Sequence, residues 1–268
     1  MTGAWGFVRQ RALGVYAALA IGYMLIPIAI VFAFSFNQPA GRFNYVWQEF
    51  TLDNWLNWSS PSGIQDALFV SLKIALLASL AATALGTLMA LALVRHRFRG
   101  RGPLNFLIFL PMAAPEIVLG ASLLTLFLNQ SLFVLGFWTI FIAHVMFTIS
   151  FVVVTVRARL VDFDVHLEEA AADLGANEWV TFRKITLPLL APAILAGAML
   201  GFAISVDDFV ITYFNSGSEI TFPVYVWGQA ARGVPPQVNV IGSAIFFVAV
   251  AIMLVNAVIQ IRREKQLA

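Results

Sequence analysis

Three carboxylates lie inside strongly apolar stretches of this sequence: Glu116, Asp207 and Asp208. Two carboxylates that converge on one water molecule can act as general acid and base, whereas single carboxylates along a path attract cations. Adjacent helical residues point about 100° apart, so Asp207 and Asp208 are poorly placed for a shared water. The pattern disfavours an intramembrane aspartyl protease and leaves structural ion pairing or passage of a cation as equally weighted roles for either aspartate.

The depths of these acids follow from their positions in the apolar runs. If these runs cross a bilayer as helices, at about 1.5 Å per residue, Glu116 lies about 18 Å from the inner surface of the bilayer and therefore near its midplane. Because Pro111 and Pro115 flank it, we expect a broken helix there. Asp207 lies in the outer third, and Lys73 enters to a similar depth from outside. Lys73 is therefore expected to neutralise one aspartate while the other faces a pathway.

Other chemistry has little support in the sequence. His96, His144 and His166 lack the spacing of metal ligands, and we expect His144 to be an interhelical hydrogen bonder. The chain has no cysteine, and its three lysines follow Leu, Arg and Glu, so it has no Gly-Lys-Ser or Gly-Lys-Thr phosphate-binding loop. We expect no catalytic residue, no metal and no cofactor in this chain, so that any ATP hydrolysis belongs to a partner.

The composition indicates a chain whose solvent is lipid. Hydrophobic residues make up 60% of it and charged residues 11%, whereas soluble domains carry about 25% charged residues. The mean hydropathy is +0.87. The net charge of +2 gives no support to nucleic-acid binding.

Six apolar runs are long enough to cross a bilayer, which takes about 20 residues, and lipid requires them to be helical. We place the six runs near residues 12–36, 67–94, 103–129, 133–156, 190–214 and 239–261, in one transmembrane domain over residues 1–268. The third and fourth form a hairpin that turns at 129–131. With a cytoplasmic N-terminus, 13 of the 16 Lys and Arg residues lie inside. We expect an all-α polytopic membrane protein with six transmembrane helices and both termini in the cytoplasm.

A charged segment separates the fourth and fifth runs, and six of the 14 carboxylates lie within residues 162–178. Asp162 or Asp164 is suited to cap a short helix, and Gly175 to end it in a left-handed conformation. Asn177 is suited to cap a second short helix. Pro188 is expected to push Leu187 out of helical geometry and to end that helix before the chain enters the membrane.

Seven residues of this segment match a known motif in identity and spacing: Glu169, Ala170, Ala171, Gly175, Ile185, Leu187 and Pro188. They resemble the EAA motif of bacterial ABC importer permeases. The resemblance implies a type I ABC importer permease fold in a bacterial plasma membrane. It also implies that residues 157–190, here named the coupling segment, contact an ATPase. The implied partners are two copies of an ABC ATPase that binds ATP and Mg, a second homologous permease and an extracytoplasmic binding protein.

Four shorter stretches resemble permeases of spermidine/putrescine importers: PEIVLGASLL at 115–124, FVVVTVRARL at 151–160, SVDDFV at 205–210 and GVPPQVN at 233–239. The resemblance implies a polyamine cargo, and we expect a substrate pathway that includes Glu116, Asp207, Asp208 and Tyr213. The alternatives are an ABC permease for iron, a phosphonate or an amino-acid-like solute, and, less favoured, a secondary transporter or an intramembrane protease. A secondary transporter normally shows internal repeats, which we do not find in the sequence.

Overall fold

The computed structural model describes the backbone of residues 4–130 and 133–267, and the side chains of residues 11–129, 133–255 and 258. Its elements in chain order are α1 (Ala4–Phe34), β1 (Asn37–Gln38), β2 (Glu49–Phe50), α2 (Asp53–Leu56), α3 (Ile64–Arg95), α4 (Arg101–Ala113), α5 (Glu116–Gln130), α6 (Phe137–Val161), α7 (His166–Asp173), α8 (Glu178–Thr181), a π-helical turn (Phe182–Thr186), α9 (Leu187–Asp207), α10 (Val210–Asn215), α11 (Phe222–Ala230) and α12 (Pro236–Leu267).

Within the described residues, five helical stretches are long and apolar enough to cross a bilayer. Four of them belong to α1, α3, α6 and α12, and the fifth runs from Glu178 to Asp207. A sixth crossing is possible if α4 and α5, which meet at an angle of 110°, together count as one span. The protein is therefore an all-α polytopic membrane protein, and its apolar runs are helical because lipid offers the backbone no other hydrogen-bond partner.

The described residues divide into two compact units. The first comprises the described residues up to Gln65 and from Val226 onward, and the second comprises the described residues from Asp66 to Tyr225. The single domain expected over residues 1–268 stays a prediction.

In the first unit α1 packs against α12, and the chain that follows α1 is held by side-chain amides. The rings of Phe32 and Phe247 lie 5.0 Å apart between their centroids. Asn37 donates to the Val46 carbonyl at 2.9 Å and accepts from the Gln48 N–H at 2.7 Å. These bonds flank a two-residue antiparallel ladder between β1 and β2, which is too short to be stable alone.

In the second unit α6 is the central helix, because its side chains belong to each of two hydrophobic clusters formed by the described residues. One cluster joins α6 to α3, α4 and α9 through residues such as Leu93, Val156 and Leu190. The other joins α6 to α5 and α10 through residues such as Phe127, Phe147 and Ile211. Every face of α6 over Thr139–Leu160 therefore carries buried residues.

Small residues allow the helix backbones to approach α6 closely. A Cβ atom on Gly86 of α3 would lie 2.9 Å from the Cβ of Val152, and one on Gly197 of α9 would lie 3.4 Å from Val152 Cγ1. Val152 is fully buried. This valine fills the space that the two glycines leave, as expected for helices packed within a membrane.

The break predicted near Glu116 is confirmed. Helix α4 ends at Ala113, and Ala114 is extended, with φ −76° and ψ 142°. Ala114 precedes Pro115, whose ring disfavours helical geometry in the preceding residue. The predicted run 103–129 therefore consists of α4 and α5, with Glu116 as the first residue of α5. Of the predicted turn at 129–131, Asn129 and Gln130 belong to α5, and Ser131 lies outside the described residues.

The predicted run 190–214 is also divided. Helix α9 ends at Asp207, Asp208 has φ −63° and ψ 119°, and α10 begins at Val210. Asp207 and Asp208 are therefore not consecutive residues of one regular helix. The α4–α5 junction and the α9–α10 junction each carry acids where a new helix starts.

Candidate functional site

The coupling segment begins with α7, whose first turn is acidic. The N–H of His166 donates to the Asp164 carboxylate at 3.0 Å, so Asp164, rather than Asp162, closes the start of the helix. Asp162 instead stands at the end of α6. Glu168 and Glu169 follow in the first turn of α7, where negative charge opposes the positive end of the helix dipole.

Gly175 turns the chain between the two short helices, as predicted. Its φ of +83° lies in the left-handed region that favours glycine. The N–H of Gly175 donates to the Ala172 carbonyl at 2.9 Å, and the N–H of Ala176 donates to the Ala171 carbonyl at 3.0 Å. This pair of bonds is a Schellman motif, which satisfies the last carbonyls of α7.

Asn177 caps α8, which also confirms its prediction. Its side-chain oxygen accepts from the Val180 N–H at 2.9 Å, and its own backbone is extended, as N-cap residues usually are. The coupling segment thus contains two short helices joined by a turn at Gly175.

The predicted break at Leu187 and Pro188 is wrong. Leu187 is helical, with φ −63° and ψ −45°, and its N–H donates to the Phe182 carbonyl, five residues earlier. Proline has no backbone N–H, and in a regular α-helix its ring clashes with the carbonyl four residues before it. The wider π turn relieves both conflicts, so α8, the π turn and α9 form one uninterrupted helical stretch.

Most residues of the EAA-like motif lie on the surface of this segment. Glu169, Ala170, Gly175, Leu187 and Pro188 are exposed, whereas Ile185 is half-buried and Ala171 is buried against the chain itself. Two large apolar side chains beside them are also exposed: Leu174 at 89% and Trp179 at 67%. Exposed small, acidic and large apolar residues lie together on this surface, which is available to a protein partner.

His166 contacts the motif glutamate directly. Its Nδ1 lies 2.9 Å from Glu169 Oε2, and both side chains are largely exposed. The hydrogen bond to Glu169, the charge of Glu169 and the charge of Asp164 raise the pKa of His166 above its ordinary value. His166 therefore keeps its positive charge to a higher pH than a free histidine does.

A second contact anchors α7 to the end of α3. The guanidinium of Arg95, the last residue of α3, donates through both terminal nitrogens to the Glu168 carboxylate. The hydroxyl of Thr186 donates to Glu168 Oε1, and Arg95 also lies 5.1 Å from the centre of the Phe163 ring. We name Arg95, Glu168 and Thr186 the arginine clamp.

The acids at the α9–α10 junction have different surroundings. Asp208 is 5% exposed at its side chain, and its Oδ2 accepts from the N–H and the hydroxyl of Thr212, both at 2.8 Å. His144 of α6 contacts Thr212 Oγ1 at 2.8 Å through Nε2 and Ser205 Oγ at 2.6 Å through Nδ1. The hydrogen bonding predicted for His144 is confirmed.

Lys73 does not pair with either aspartate, which corrects the expectation. Among the described side chains, its ammonium lies 5.0 Å from the centre of the Phe137 ring, on its cation-attracting face. The partner of Asp208 is instead His144, whose Nε2 lies 3.3 Å from Asp208 Oδ2. The extended backbone at Asp208 turns its side chain toward α6. A prediction that assumes one straight helix through Asp208 does not place the side chain there.

The other predicted pathway residues are exposed on the second unit. Glu116, Asp207 and Tyr213 all present accessible side chains, and Tyr213 lies 5.4 Å from Phe209 between ring centres. Helices α5 and α10 pack together, and Asn215 donates to the Gly120 carbonyl at 3.3 Å. The structure thus joins the two helices that start at the junctions. No hydrogen bond or ion pair among the described side chains links Glu116 to Asp207 or Asp208.

Sequence reasoning missed the arginine clamp and the partners of His144. Arg95 and Glu168 are 73 residues apart, and His144 and Thr212 are 68 apart. The available signal for the clamp was weak: an arginine that ends a long helix and an acid-rich segment on the same side of the membrane. Such a signal suggests ion pairing without selecting the partner.

Comparisons with known proteins agree with this architecture. Residues 82–264 match the family described as "Binding-protein-dependent transport system inner membrane component". The chain is 37% identical to the spermidine/putrescine transport system permease protein PotC of Escherichia coli K12, over 92% of each chain. It is 34% identical to the putrescine transport system permease protein PotI of the same strain, over 92% of this chain and 90% of PotI.

A solved structure supports the fold. The chain superposes on a bacterial ABC transporter involved in import of the acidic polysaccharide alginate, with a TM-score of 0.64 and 21% identity, over 96% of this chain and 95% of the other. At 21% identity this structural similarity supports the fold alone. With the family match and the two close relatives, it leads to one assignment: the chain belongs to the family of binding-protein-dependent transport system inner membrane components.

Proposed function

We propose that this chain is the membrane-spanning permease subunit of an ATP-driven importer of polyamines, namely spermidine or putrescine. The observation that carries the proposal is the coupling segment, in which Glu169, Ala170 and Gly175 stand exposed on a helix–glycine–helix corner in a member of a transport family. The polyamine cargo is supported by the two relatives, both of which are named for putrescine transport.

The proposal assigns energy supply to other subunits. Two copies of an ABC ATPase bind ATP and Mg and contact the coupling segment from the cytoplasm. A second, homologous permease completes the pathway, and an extracytoplasmic binding protein delivers the cargo. Both termini of this chain lie in the cytoplasm, because that orientation keeps most Lys and Arg residues inside. The chain itself contributes no catalytic group.

Polyamines are multivalent cations, so a path through the membrane must offset their desolvation. Exposed Glu116 and Asp207 provide negative charge at two helix junctions, and exposed Tyr213 adds an aromatic face suited to a cation. Asp208, which is bonded to Thr212 and lies close to His144, supports the second junction instead of contacting cargo.

The test is uptake of radiolabelled spermidine and putrescine into cells that express the chain with a candidate ATPase, a second permease and a binding protein from the same genome. Uptake should require this chain and a hydrolysis-competent ATPase. Glu116→Gln should lower polyamine uptake about tenfold, because one charge interaction with the cation along the path is lost, while the chain remains at normal membrane levels. Glu49→Gln, an exposed carboxylate in β2, is the matched control.

Three outcomes would contradict parts of the proposal. If the system imports 2-aminoethylphosphonate or ferric iron but no polyamine, the cargo assignment is wrong and the importer assignment stands. If uptake follows a proton or sodium gradient without ATP, the chain is a secondary transporter. Normal polyamine uptake by Glu116→Gln would remove Glu116 from the path.

A further inference from the structure

Three parts of the second unit meet at a single carboxylate. Glu168 lies in the first turn of α7, next to the motif residue Glu169. It accepts two bonds from Arg95, which ends the 32-residue helix α3, and one from the hydroxyl of Thr186 in the π turn. One carboxylate therefore ties together α7, the membrane helix α3 and the start of the membrane stretch that contains α9.

The chemistry of these contacts restricts how the three parts can move. Arginine presents a planar fork that matches a carboxylate with two parallel bonds, which fixes orientation as well as distance. The side chains of Arg95 and Glu168 are 24% and 19% exposed, so water screens them less than it screens a surface pair. Thr186 is buried. Rotation of α7 relative to α3 would break both arginine bonds together.

Glu168 and Glu169 have different surroundings although they are adjacent. Glu169 is exposed and contacts only His166 of α7 among the bonds described for it, whereas Glu168 faces the chain's own helices. The side chain of Glu168 thus points toward the chain's own helices, and the side chain of Glu169 points toward solvent. A partner that binds the face of α7 that carries Glu169 would therefore push on a helix that the arginine clamp holds through Glu168.

We propose that Arg95 is a positioning residue for energy coupling: through Glu168 and Thr186 it makes α7, the π turn and the cytoplasmic end of α3 move as one body. This rests on the proposed function, because it requires an ATPase that contacts the coupling segment. Without the clamp the ATPase still binds and hydrolyses ATP, but displacement of α7 no longer reaches α3. Coupling between sites requires a contiguous, rigid connection of this kind or an equivalent shift in populations.

The first experiment measures the ratio of transported substrate to hydrolysed ATP in the complete transporter, reconstituted in liposomes with spermidine as cargo. Arg95→Ala and Glu168→Gln should each lower this ratio about fivefold or more, a change typical of coupling between sites, at unchanged ATPase co-purification. Arg95→Lys should recover little, because lysine has no fork. The double variant Arg95→Glu with Glu168→Arg should recover part of the ratio. Arg99→Ala, an exposed arginine four residues further on, is the control for lost charge.

The second experiment does not depend on the cargo and uses the absence of cysteine in the sequence. Spin labels on Asp173→Cys in α7 and His96→Cys after α3, both exposed positions, report the distance between the two elements in the reconstituted complex. The distribution should be narrow with and without ATP in the otherwise native chain. It should broaden in Arg95→Ala and Glu168→Gln and stay narrow in Arg99→Ala.

The two readouts separate the possible failures. Broadened distances together with a lowered ratio support the clamp. Unchanged distances, an unchanged ratio, or variants that only lower membrane abundance overturn it. If the unmodified complex hydrolyses ATP but moves no spermidine, the polyamine assignment fails, and the distance measurement still decides the fate of the clamp.

Discussion

The imidazole of His144, in the N-terminal half of α6, lies 3.3 Å from the carboxylate of Asp208 at the junction of α9 and α10. Thr212 completes the contact, since its single hydroxyl proton is directed at Asp208 and its oxygen is left to accept from His144 Nε2. This arrangement fixes the start of α10 against α6. Asp208 and Asp207 therefore have different roles, because Asp207 takes no part in this contact.

We expect Asp208→Asn to lower the abundance of the chain and Asp207→Asn to lower only its transport activity. Asp208→Asn removes charged acceptors at a buried position and should destabilise the chain by about 1.5–3 kcal/mol, which lowers its abundance in the membrane. Asp207→Asn should leave abundance unchanged and reduce spermidine uptake. Immunoblots of membrane fractions and uptake of labelled spermidine, measured on the same cells, distinguish the two.

His144→Ala serves as the partner control for this prediction. It should lower abundance as Asp208→Asn does, and the double variant should be little worse than either single one, because the two residues act through one contact. Normal abundance of Asp208→Asn, or additive losses in the double variant, would show that the contact does not hold the junction.

The glycine corner gives a second prediction. Gly175→Pro cannot adopt a φ of +83° and loses the N–H that donates to Ala172, so the corner between α7 and α8 should open. We expect co-purification of the ATPase to fall roughly tenfold, as a loss of about 1.4 kcal/mol in binding gives. Glu169→Lys should act similarly by reversing an exposed charge, and Glu49→Lys should not. Undiminished ATPase recovery with both coupling-segment variants would be incompatible with docking at this surface.

The contact between His166 and Glu169 predicts a pH dependence. Because the pKa of His166 is raised above 6.5 in the folded chain, its contribution to the stability of α7 is fully present below pH 6.5 and is lost as the pH rises through the raised value. Histidine NMR of the full chain in detergent should therefore show a midpoint above 6.5 for His166. Glu169→Gln should lower that midpoint, and His166→Gln identifies the resonance. A midpoint that ignores Glu169→Gln would mean that the contact is absent in solution.

Close packing at Gly86 gives a prediction about stability. In Gly86→Ala the new Cβ would lie 2.9 Å from Val152, so helices α3 and α6 must separate slightly. Overpacking of this kind costs about 1–3 kcal/mol. Gly22→Ala in α1, whose Cβ meets nothing within 4 Å, is the control and should be neutral or slightly stabilising. Denaturant unfolding in detergent, followed by circular dichroism, measures both. Adding Val152→Ala to Gly86→Ala should return part of the loss, and equal stability of the Gly86 and Gly22 variants would contradict close packing here.

The features predicted correctly from sequence are those that local chemistry decides. Apolar runs indicate helices because lipid allows nothing else. Pro115 places one junction, and Gly175 and Asn177 place the corner of the coupling segment, because each residue acts on its own backbone or on that of close neighbours.

The features that sequence reasoning did not predict depend on contacts between residues distant in sequence, or on which of two local backbone conformations the chain adopts. Neither proline nor glycine marks the junction at Asp208, which is stabilised by Thr212 and by His144 of another helix. Lys73 is matched to one of the two aspartates by depth alone, because the sequence does not show which way each helix turns. Pro188 was expected to end a helix because a regular α-helix cannot accept it, but a locally wider turn can.

That wider turn has a mechanical consequence. From Glu178 to Asp207 the chain is one helical stretch of 30 residues, a rod of roughly 45 Å at about 1.5 Å per residue. One end of the rod adjoins the exposed surface of Trp179, and the other end is the exposed acid Asp207. Because the helical stretch is continuous, we expect a displacement of its Trp179 end to reach Asp207. We therefore expect the carboxylate of Asp207 to move with the end of the rod that carries Trp179.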